Sequence, residues 1–243
     1  MFERLKRMRD VRQLKGERLK YEDGLYVGEV LNGRPHGHGV MLFDNGSRYE
    51  GNWWEGFEHG PGVLRTESGD TYSGSYVRGE RRGQGVMQFA DGSGYEGEWL
   101  ADLPHGTGRM QYPDGSVYEG EFSRGRREGK GTIHSGAEVY TGEWEDDRSQ
   151  GQGEYRWADG SVYTGSFVAG QRSGFGVQID ADGTRYEGEW VGGERSGQGT
   201  QTYPSGLHYS GGWYEDSYHG HGVTSEGGVV KYDGRWRVGI PLD

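Results

Sequence analysis

Along most of this chain, aromatic residues alternate with glycine in a short pattern, Tyr-x-Gly-x-aromatic, that returns at a fixed interval. Because side chains alternate between the two faces of a strand, the tyrosine, the glycine and the second aromatic residue share one face. Successive tyrosines are 23 residues apart in eight of nine intervals and 22 apart in the interval from Tyr118 to Tyr140. A constant period of this length predicts a repeat architecture. The ten tyrosines are Tyr26, Tyr49, Tyr72, Tyr95, Tyr118, Tyr140, Tyr163, Tyr186, Tyr209 and Tyr232.

A second short pattern, Gly-x-Gly, follows each aromatic segment, as in Gly106-Thr107-Gly108. Its two glycines also share one strand face, so we expect aromatic rings to lie on bare glycine backbone. Asn-Gly or Asp-Gly pairs such as Asp91-Gly92 precede the next tyrosine and are typical of hairpin turns. Short connections force successive strands to pair antiparallel. The pattern predicts an all-β fold: an elongated, twisted antiparallel β-meander of about ten 23-residue hairpin repeats.

The two ends of the chain differ from the repeats. Residues 1–15 carry apolar residues at steps of three and four, which predicts a short, basic amphipathic N-terminal helix. The repeat array is assigned to residues 16–239 and a short tail to 240–243. We expect the helix to cover the first sheet edge or to contact an acidic partner or an anionic membrane. The uncovered C-terminal edge predicts a homodimer, since exposed edges recruit strands. The basic contact residues are Arg4, Lys6, Arg7, Arg9 and Arg12.

Composition and charge limit the classes of protein to which this chain can belong. Glycine accounts for 50 of 243 residues, and only 30% of the chain is hydrophobic, which is too little for a large globular core. The absence of cysteine excludes thiolate catalysis and cysteine-ligated zinc. Residues 1–20 carry a net charge of +5 and residues 21–243 carry −16. We therefore expect a cytoplasmic protein without nucleic-acid partners, whose two regions favour different partners.

The segment Tyr95-Glu96-Gly97-Glu98-Trp99, followed by His105-Gly-x-Gly and then Asp-Gly at a 23-residue period, resembles the MORN repeat (membrane occupation and recognition nexus). The resemblance covers about residues 16–239. It implies an elongated antiparallel sheet, a scaffolding role and assemblies at the cytoskeleton, the cilium or a membrane. Dimerisation and phospholipid contact are further properties that it implies. Val30 departs from the pattern, because the other repeats have an aromatic residue there.

The sequence favours a protein that is not an enzyme and has no cofactor. Gly-x-Gly recurs nine times without a helical pattern after it, so it does not predict a phosphate-binding loop. His36 and His38 lie two residues apart but lack the further ligands that zinc needs, so no metal site is predicted. An alternative remains that the chain is the regulatory part of a longer enzyme.

Acidic residues flank the central glycine of many repeats, as Glu96 and Glu98 do. They should lie on the face opposite to the aromatic residues and form a ladder of carboxylates. This ladder has two interpretations: a solubilising charge that prevents edge-to-edge association, or a docking surface for a basic partner.

The sequence therefore predicts a scaffold or adaptor that binds an extended peptide or a helix through its aromatic, glycine-lined face. Regularly spaced aromatic side chains are suited to anchoring such a segment. The alternative is a peripheral membrane protein that contacts anionic phospholipids through the basic N-terminal helix. The predicted partner-binding residues are Tyr95, Trp99, Tyr118, Phe122, Tyr140 and Trp144.

Overall fold

The computed structural model describes residues 13–242, which form 21 β-strands, each hydrogen-bonded antiparallel to its neighbours in chain order within two units. Unit 1 contains the described residues up to Gly115 together with Phe122–Gly125. Unit 2 contains Ser116–Glu121 and the described residues from Arg126 onward. Strand β10 (Val117–Ser123) is divided between them. The all-β meander that the repeat pattern predicts is thus confirmed.

Unit 1 contains one leading strand and four hairpins, each made of a Tyr-x-Gly strand and the Gly-x-Gly strand that follows it, and every strand pairs with the next. Its nine complete strands are β1 (Glu17–Tyr21), β2 (Gly24–Leu31), β3 (Arg34–Phe43), β4 (Arg48–Trp54), β5 (Phe57–Arg65), β6 (Thr71–Val77), β7 (Glu80–Gln88), β8 (Gly94–Leu100) and β9 (Leu103–Gln111).

Unit 2 continues the same alternation of strands. Its complete strands are β11 (Arg126–Ser135), β12 (Glu138–Glu145), β13 (Arg148–Arg156), β14 (Val162–Val168), β15 (Gln171–Ile179), β16 (Arg185–Val191), β17 (Glu194–Thr202), β18 (Leu207–Tyr214), β19 (Ser217–Glu226), β20 (Val229–Arg237) and β21 (Ile240–Leu242).

The hairpin of β8 and β9 illustrates why glycine recurs. Gly97 lies opposite Gly108, and a Cβ added to Gly108 would come within 2.4 Å of the Tyr95 hydroxyl oxygen. The Tyr95 ring therefore occupies the space above its own glycine pair. Its hydroxyl donates a hydrogen bond of 2.8 Å to the Glu98 carbonyl oxygen. The expected packing of aromatic rings on glycine is confirmed, with tyrosine as the ring that lies on the glycines.

The core is a column of aromatic rings in edge-to-face contact. Trp99 illustrates the arrangement, because its ring lies 5.2 Å from Tyr95 of its own repeat and 5.2 Å from Tyr72 of the preceding one. Both pairs are nearly perpendicular, at 85°. Such pairs contribute about 0.5–1.5 kcal/mol beyond the burial of their area. Each unit has its own column built from the same two positions of the repeat.

The tryptophans also connect neighbouring hairpins through hydrogen bonds. The indole Nε1–H of Trp99 donates to the Gly85 carbonyl oxygen at 3.1 Å, and Trp144 donates to Gly131 at the same distance. Tyrosine thus locks its own hairpin, whereas tryptophan joins its hairpin to the preceding one. Tyr76 occupies the tryptophan position of its repeat, and its hydroxyl is buried without a hydrogen-bond partner among residues 13–242.

The repeat with the 22-residue spacing keeps this packing. Gly131 lies opposite Gly142, and the Tyr140 hydroxyl is 2.9 Å from the Glu143 carbonyl oxygen, as in the longer repeats. The missing residue is accommodated at Gly136, between β11 and β12, where the backbone has φ +60°. The register of the strands is unchanged, so the shortening is confined to one turn.

One further short strand follows the last Tyr-x-Gly-x-Trp strand. The predicted tail, 240–243, contains a strand, because Ile240–Leu242 pairs with Arg235–Arg237 of β20. The last Tyr-x-Gly-x-Trp strand therefore has a neighbour along part of its length. At the other end, β1 pairs with β2. The helix predicted for residues 1–15 and its basic contact residues Arg4, Lys6, Arg7, Arg9 and Arg12 lie outside the described residues, apart from residues 13–15.

Candidate partner-binding surface

The six residues that the sequence predicts for partner binding lie in the core. Their side chains keep at most 7% of their accessible surface, because neighbouring rings and glycine backbone surround them. They hold the sheet together, and a partner cannot reach them without opening it. Their role in partner binding stays a prediction, and the exposed residues around them are better placed for contact. The six are Tyr95, Trp99, Tyr118, Phe122, Tyr140 and Trp144.

The open side of the ring column is covered by the second residue of each Gly-x-Gly strand, which we call the cover position. In β7 this residue is Arg81, whose guanidinium carbon lies 4.4 Å above the Trp99 ring. Its backbone N–H and its Nε–H both donate to the Asp102 carboxylate, at 3.0 and 2.9 Å. A cation over an aromatic face is attracted by the ring quadrupole. The arginine therefore closes the core and is itself held by a carboxylate of the next repeat.

Burial affects the ionisation of the core. Desolvation raises the pKa of the phenols of Tyr72, Tyr95 and Tyr163 to about 12. At the cover position of β5, desolvation raises the pKa of Glu58, and the negative charges of Asp102 and Asp23 add to this shift. Burial therefore favours the neutral forms of the core phenols and of the Glu58 carboxyl.

Within the acidic ladder, the glutamates that follow the central glycine have a structural role. In the set that follows the central glycine, the carboxylate accepts a hydrogen bond from the backbone of the opposite strand, as Glu98 does from Thr107 N–H at 3.1 Å. This bond lies at a β-bulge, where Gly106 has φ +58° and its added Cβ would meet the Glu98 carboxylate within 2.6 Å. The glutamates that follow the glycine thus stabilise the bulge. The residues that make this bond are Glu29, Glu98, Glu121, Glu143 and Glu189.

On the face opposite to the rings, unit 1 exposes a line of apolar residues at equivalent positions of successive hairpins. Each occupies the end of a Tyr strand or the start of the following strand, and each keeps between 39% and 52% of its surface. Trp54 lies opposite Phe57, and Leu100 lies opposite Leu103, across a two-residue turn. We call this set the apolar row; it consists of Leu31, Trp54, Phe57, Val77, Leu100 and Leu103.

Trp54 is the largest side chain in the apolar row, and two histidine rings hold it in place. Its ring centroid lies 4.8 Å from His36 and 6.5 Å from His59. The His59 Nδ1 atom is buried and has no hydrogen-bond partner among the described residues. An aromatic side chain positioned by its neighbours loses little conformational entropy when a partner covers it. The row therefore has a preorganised central anchor.

Residues 13–242 offer neither a metal site nor a membrane-spanning helix. No group of three or more His, Asp or Glu side chains in this range is arranged to hold a metal ion. In the same range, no helix has the length and apolarity required to cross a membrane.

The sequence profile of the MORN repeat matches this chain in nine consecutive copies. The matched segments start at Tyr26 and follow the tyrosine spacing to residue 225, with a three-residue gap after 136 in the short repeat. The chain belongs to the MORN repeat family. The segments are residues 26–48, 49–71, 72–94, 95–117, 118–136, 140–162, 163–185, 186–208 and 209–225.

Similarity of this MORN repeat protein to solved structures is low. The TCP10 domain of CPAP from Danio rerio is 12% identical, with a TM-score of 0.44 over 90% of this chain and 100% of that domain. The TCP domain of SAS-4 (dCPAP) from Drosophila melanogaster, solved with a proline-rich motif of Ana2 (dSTIL), is 12% identical. Its TM-score is 0.38 over 74% of this chain and 96% of that domain. No curated protein matches the chain. These values say nothing about what the MORN repeats of this chain bind.

Sequence reasoning found the MORN repeats but missed two features of their surface. The first is the arginine–aspartate pair at the cover position, although Arg81 and Asp102 stand 21 residues apart and the same spacing recurs at Arg195 and Asp216. The second is the apolar row, which could have been read from the residue after each second aromatic. The arginine–aspartate pair joins two different repeats, and the apolar row lies on the face opposite to the rings, so the Tyr-x-Gly-x-aromatic pattern shows neither.

Proposed function

We propose that this MORN repeat protein is a non-enzymatic scaffold that holds a helical segment of a protein partner along the apolar row of unit 1. The observation that carries this proposal is the recurrence of exposed apolar side chains at one position of successive hairpins. Scattered exposed apolar residues are ordinary on a protein surface, whereas an aligned set marks an interaction site.

The spacing of the row suits a helix. Hairpins repeat every two strands, so equivalent residues are separated by about 9.6 Å. Seven residues of an α-helix rise about 10.5 Å, so apolar residues at heptad spacing match successive hairpins closely. In two hairpins the row is two residues wide, because Trp54 lies opposite Phe57 and Leu100 lies opposite Leu103.

The location of the row favours a helix over an extended strand. It lies on a sheet face, where the backbone groups of the strands are already paired with neighbouring strands. A strand laid on such a face would leave its own backbone N–H and C=O groups without partners. An amphipathic helix satisfies these groups internally and needs only to bury its apolar side.

Charge indicates the flanks of the partner. Residues 21–115 contain fifteen acidic and seven basic residues. A helix with basic residues beside its apolar stripe would therefore be attracted to unit 1, and its association would weaken as salt increases. The partner class is thus a basic amphipathic helix.

A displayed library of helical peptides, selected on the full chain, would test this proposal. We expect selection of basic helices with apolar residues at heptad spacing, and Trp54→Ser should weaken their binding by about tenfold or more. The matched control is Val191→Ser, which removes an exposed apolar residue at the equivalent position of unit 2. Equal binding to the parent chain and Trp54→Ser, or equal loss in both variants, would contradict the assignment of the row.

A further inference from the structure

The inference concerns the turn that faces each cover position. In every repeat with a described partner turn, the backbone N–H of the turn residue donates to the carbonyl oxygen of the cover residue, as Gly193 does to Arg172 at 2.9 Å. The two positions are therefore in contact whatever their side chains are. The pairs are Pro35 with Gly56, Glu58 with Gly79, Arg81 with Asp102, Pro104 with Gly125, Arg127 with Asp147, Ser149 with Gly170, Arg172 with Gly193, Arg195 with Asp216 and Tyr218 with Gly239.

The residue types of these pairs are correlated. Aspartate occupies the turn only where arginine occupies the cover position, and glycine faces proline, glutamate, serine and tyrosine. Arg172 is the exception among the described repeats, since it is a cover arginine that faces glycine. Among residues 13–242, three cover-position arginines thus have a carboxylate supplied by the next repeat, and Arg172 has none.

The guanidinium of Arg172 is held as in its counterparts. Its Nη2–H donates to the Gly193 carbonyl oxygen at 2.6 Å, as Arg195 Nη2–H does to Asp216 at 3.1 Å. Its guanidinium carbon lies 4.1 Å above the Trp190 ring, and its Nη1–H donates to the Gln178 side chain. The side chain is therefore oriented before any ligand arrives.

Arg172 and Arg195 differ in the acceptor of the hydrogen bond from the arginine Nε–H. In the Arg195 repeat, the backbone N–H and Nε–H of the arginine both donate to the same Asp216 carboxylate oxygen, at 3.0 and 2.8 Å. At Arg172, no ion pair with an acidic side chain is present within the described part of the chain. The position of that side chain is open, since a Cβ placed on Gly193 would meet no atom within 4 Å.

We infer that Arg172 is a binding site for an aspartate or glutamate side chain of a partner protein, which takes the place that Asp216 occupies beside Arg195. This inference goes beyond the proposed function, because Arg172 belongs to unit 2 and takes an acidic side chain instead of a basic helix. The choice of a carboxylate as the ligand follows from the other cover arginines of this chain, each of which binds an aspartate carboxylate. Arginine and carboxylate form charge-assisted hydrogen bonds of defined geometry.

The surroundings explain why the ligand is a side chain on a peptide instead of a free anion. Arg172 lines an open cavity of about 500 Å³ that it shares with Trp157 and with Asp159, Asp180 and Asp182. These three carboxylates accept hydrogen bonds from Ser161, Gln178 and Thr184. Their charge opposes a small anion, so a carboxylate needs further peptide contacts, which the Trp157 ring and the exposed backbone offer.

The test uses the full chain and two short peptides, acetyl-Gly-Asp-Gly-amide and its Asn counterpart, with NMR detection of the arginine Nε–H signals. We expect the Asp peptide to shift the Arg172 signal in a saturable manner and the Asn peptide not to do so. The Arg195 signal, whose site holds Asp216, should not respond. Equal responses to both peptides, equal responses of Arg172 and Arg195, or no response to the Asp peptide would overturn the inference.

Two substitutions sharpen the test. Gly193→Asp supplies the missing carboxylate and should abolish the Arg172 response, whereas Gly193→Asn, which has the same shape without the charge, should leave some response. Asp216→Gly should create a second responsive site at Arg195. A response retained in full by Gly193→Asp would refute the assignment. Because the peptides do not require the apolar row, loss of the helix-binding function in Trp54→Ser would leave this result unchanged.

Discussion

Trp53 and Trp54 are neighbours in β4 and have opposite environments. Trp53 keeps 5% of its surface, lies 5.2 Å from both Tyr26 and Tyr49, and donates through Nε1–H to the Gly39 carbonyl oxygen. Trp54 keeps 48% of its surface and touches the histidines of the opposite face. The alternation of strand side chains gives one tryptophan to the core and the other to solvent.

This comparison separates two roles that the same residue type has in the repeat. Residues on the ring face are fixed by contacts that recur in each hairpin, so changes there affect folding. On the opposite face, the residues at the turn ends of the strands differ between repeats. In unit 1, two of these turns have apolar residues on both sides, Trp54 with Phe57 and Leu100 with Leu103. In unit 2, the exposed apolar residues Val168, Val191 and Tyr214 instead face the polar residues Gln171, Glu194 and Ser217. The residues exposed on the opposite face can therefore change while the core stays the same.

The largest expected effect is unfolding at alkaline pH, which tests the ring face as a whole. The pKa of Tyr72, Tyr95 and Tyr163 is raised to about 12 in the fold, above the ordinary value of 10.0. Their stabilising contribution is complete below pH 10 and is lost as the pH rises from 10 towards 12, because the unfolded chain releases the protons first. Circular dichroism over this range should show cooperative unfolding. A stable sheet at pH 12 would contradict this account.

The second effect separates the two tryptophans directly. Trp53→Ala should cost about 3–5 kcal/mol, since it removes a packed ring and leaves a cavity. Chemical denaturation of the full chain measures this change. Gly62→Val should also be destabilising, because a Cβ on Gly62 would come within 2.2 Å of the Tyr49 hydroxyl oxygen. If Gly62→Val unfolds at the same denaturant concentration as the parent, tyrosine packing on glycine is not what positions the rings.

A third, smaller effect concerns the bulge. Glu98→Ala removes the acceptor for Thr107 N–H and should lower the melting temperature by less than Trp53→Ala does. The hydrogen bonds from Thr107 lower the pKa of Glu98, so this contribution is present above the ordinary carboxyl pKa and is lost as the pH falls through the lowered value. The control is Glu96→Ala, on the other side of Gly97. Equal melting temperatures of the two variants at neutral pH would count against the bulge role.

The smallest expected effect on stability is that of Trp54→Ser. Substitutions of exposed residues are usually within about 0.5 kcal/mol of the parent, so unfolding should change little while helix binding is lost. Denaturation and peptide binding measured on the same preparation check both statements. A large loss of stability would mean that Trp54 belongs to the core and that the comparison with Trp53 fails.

The sequence predicted the repeat, the antiparallel pairing and the shared face of Tyr95, Gly97 and Trp99, because these follow from spacing and from the period of two. It did not predict that burial would remove Trp99 from the surface. That outcome depends on rings of adjacent repeats and on Arg81 above them, which are contacts between residues distant in the sequence. The acidic ladder was also visible as a pattern. The contact between Glu98 and the strand at Gly106 depends on a β-bulge, and the period of the sequence does not predict a bulge.

The turn at Gly136 has a consequence for how such chains can be altered. One residue is missing there, yet Gly131 still lies opposite Gly142 and Trp144 still reaches the Gly131 carbonyl oxygen. The number of residues in the turn between β11 and β12 can therefore change without changing the register of these strands. We expect this turn to accept loops of other lengths, including grafted recognition loops. An insertion between Tyr140 and Trp144 would instead move Trp144 out of its place in the ring column.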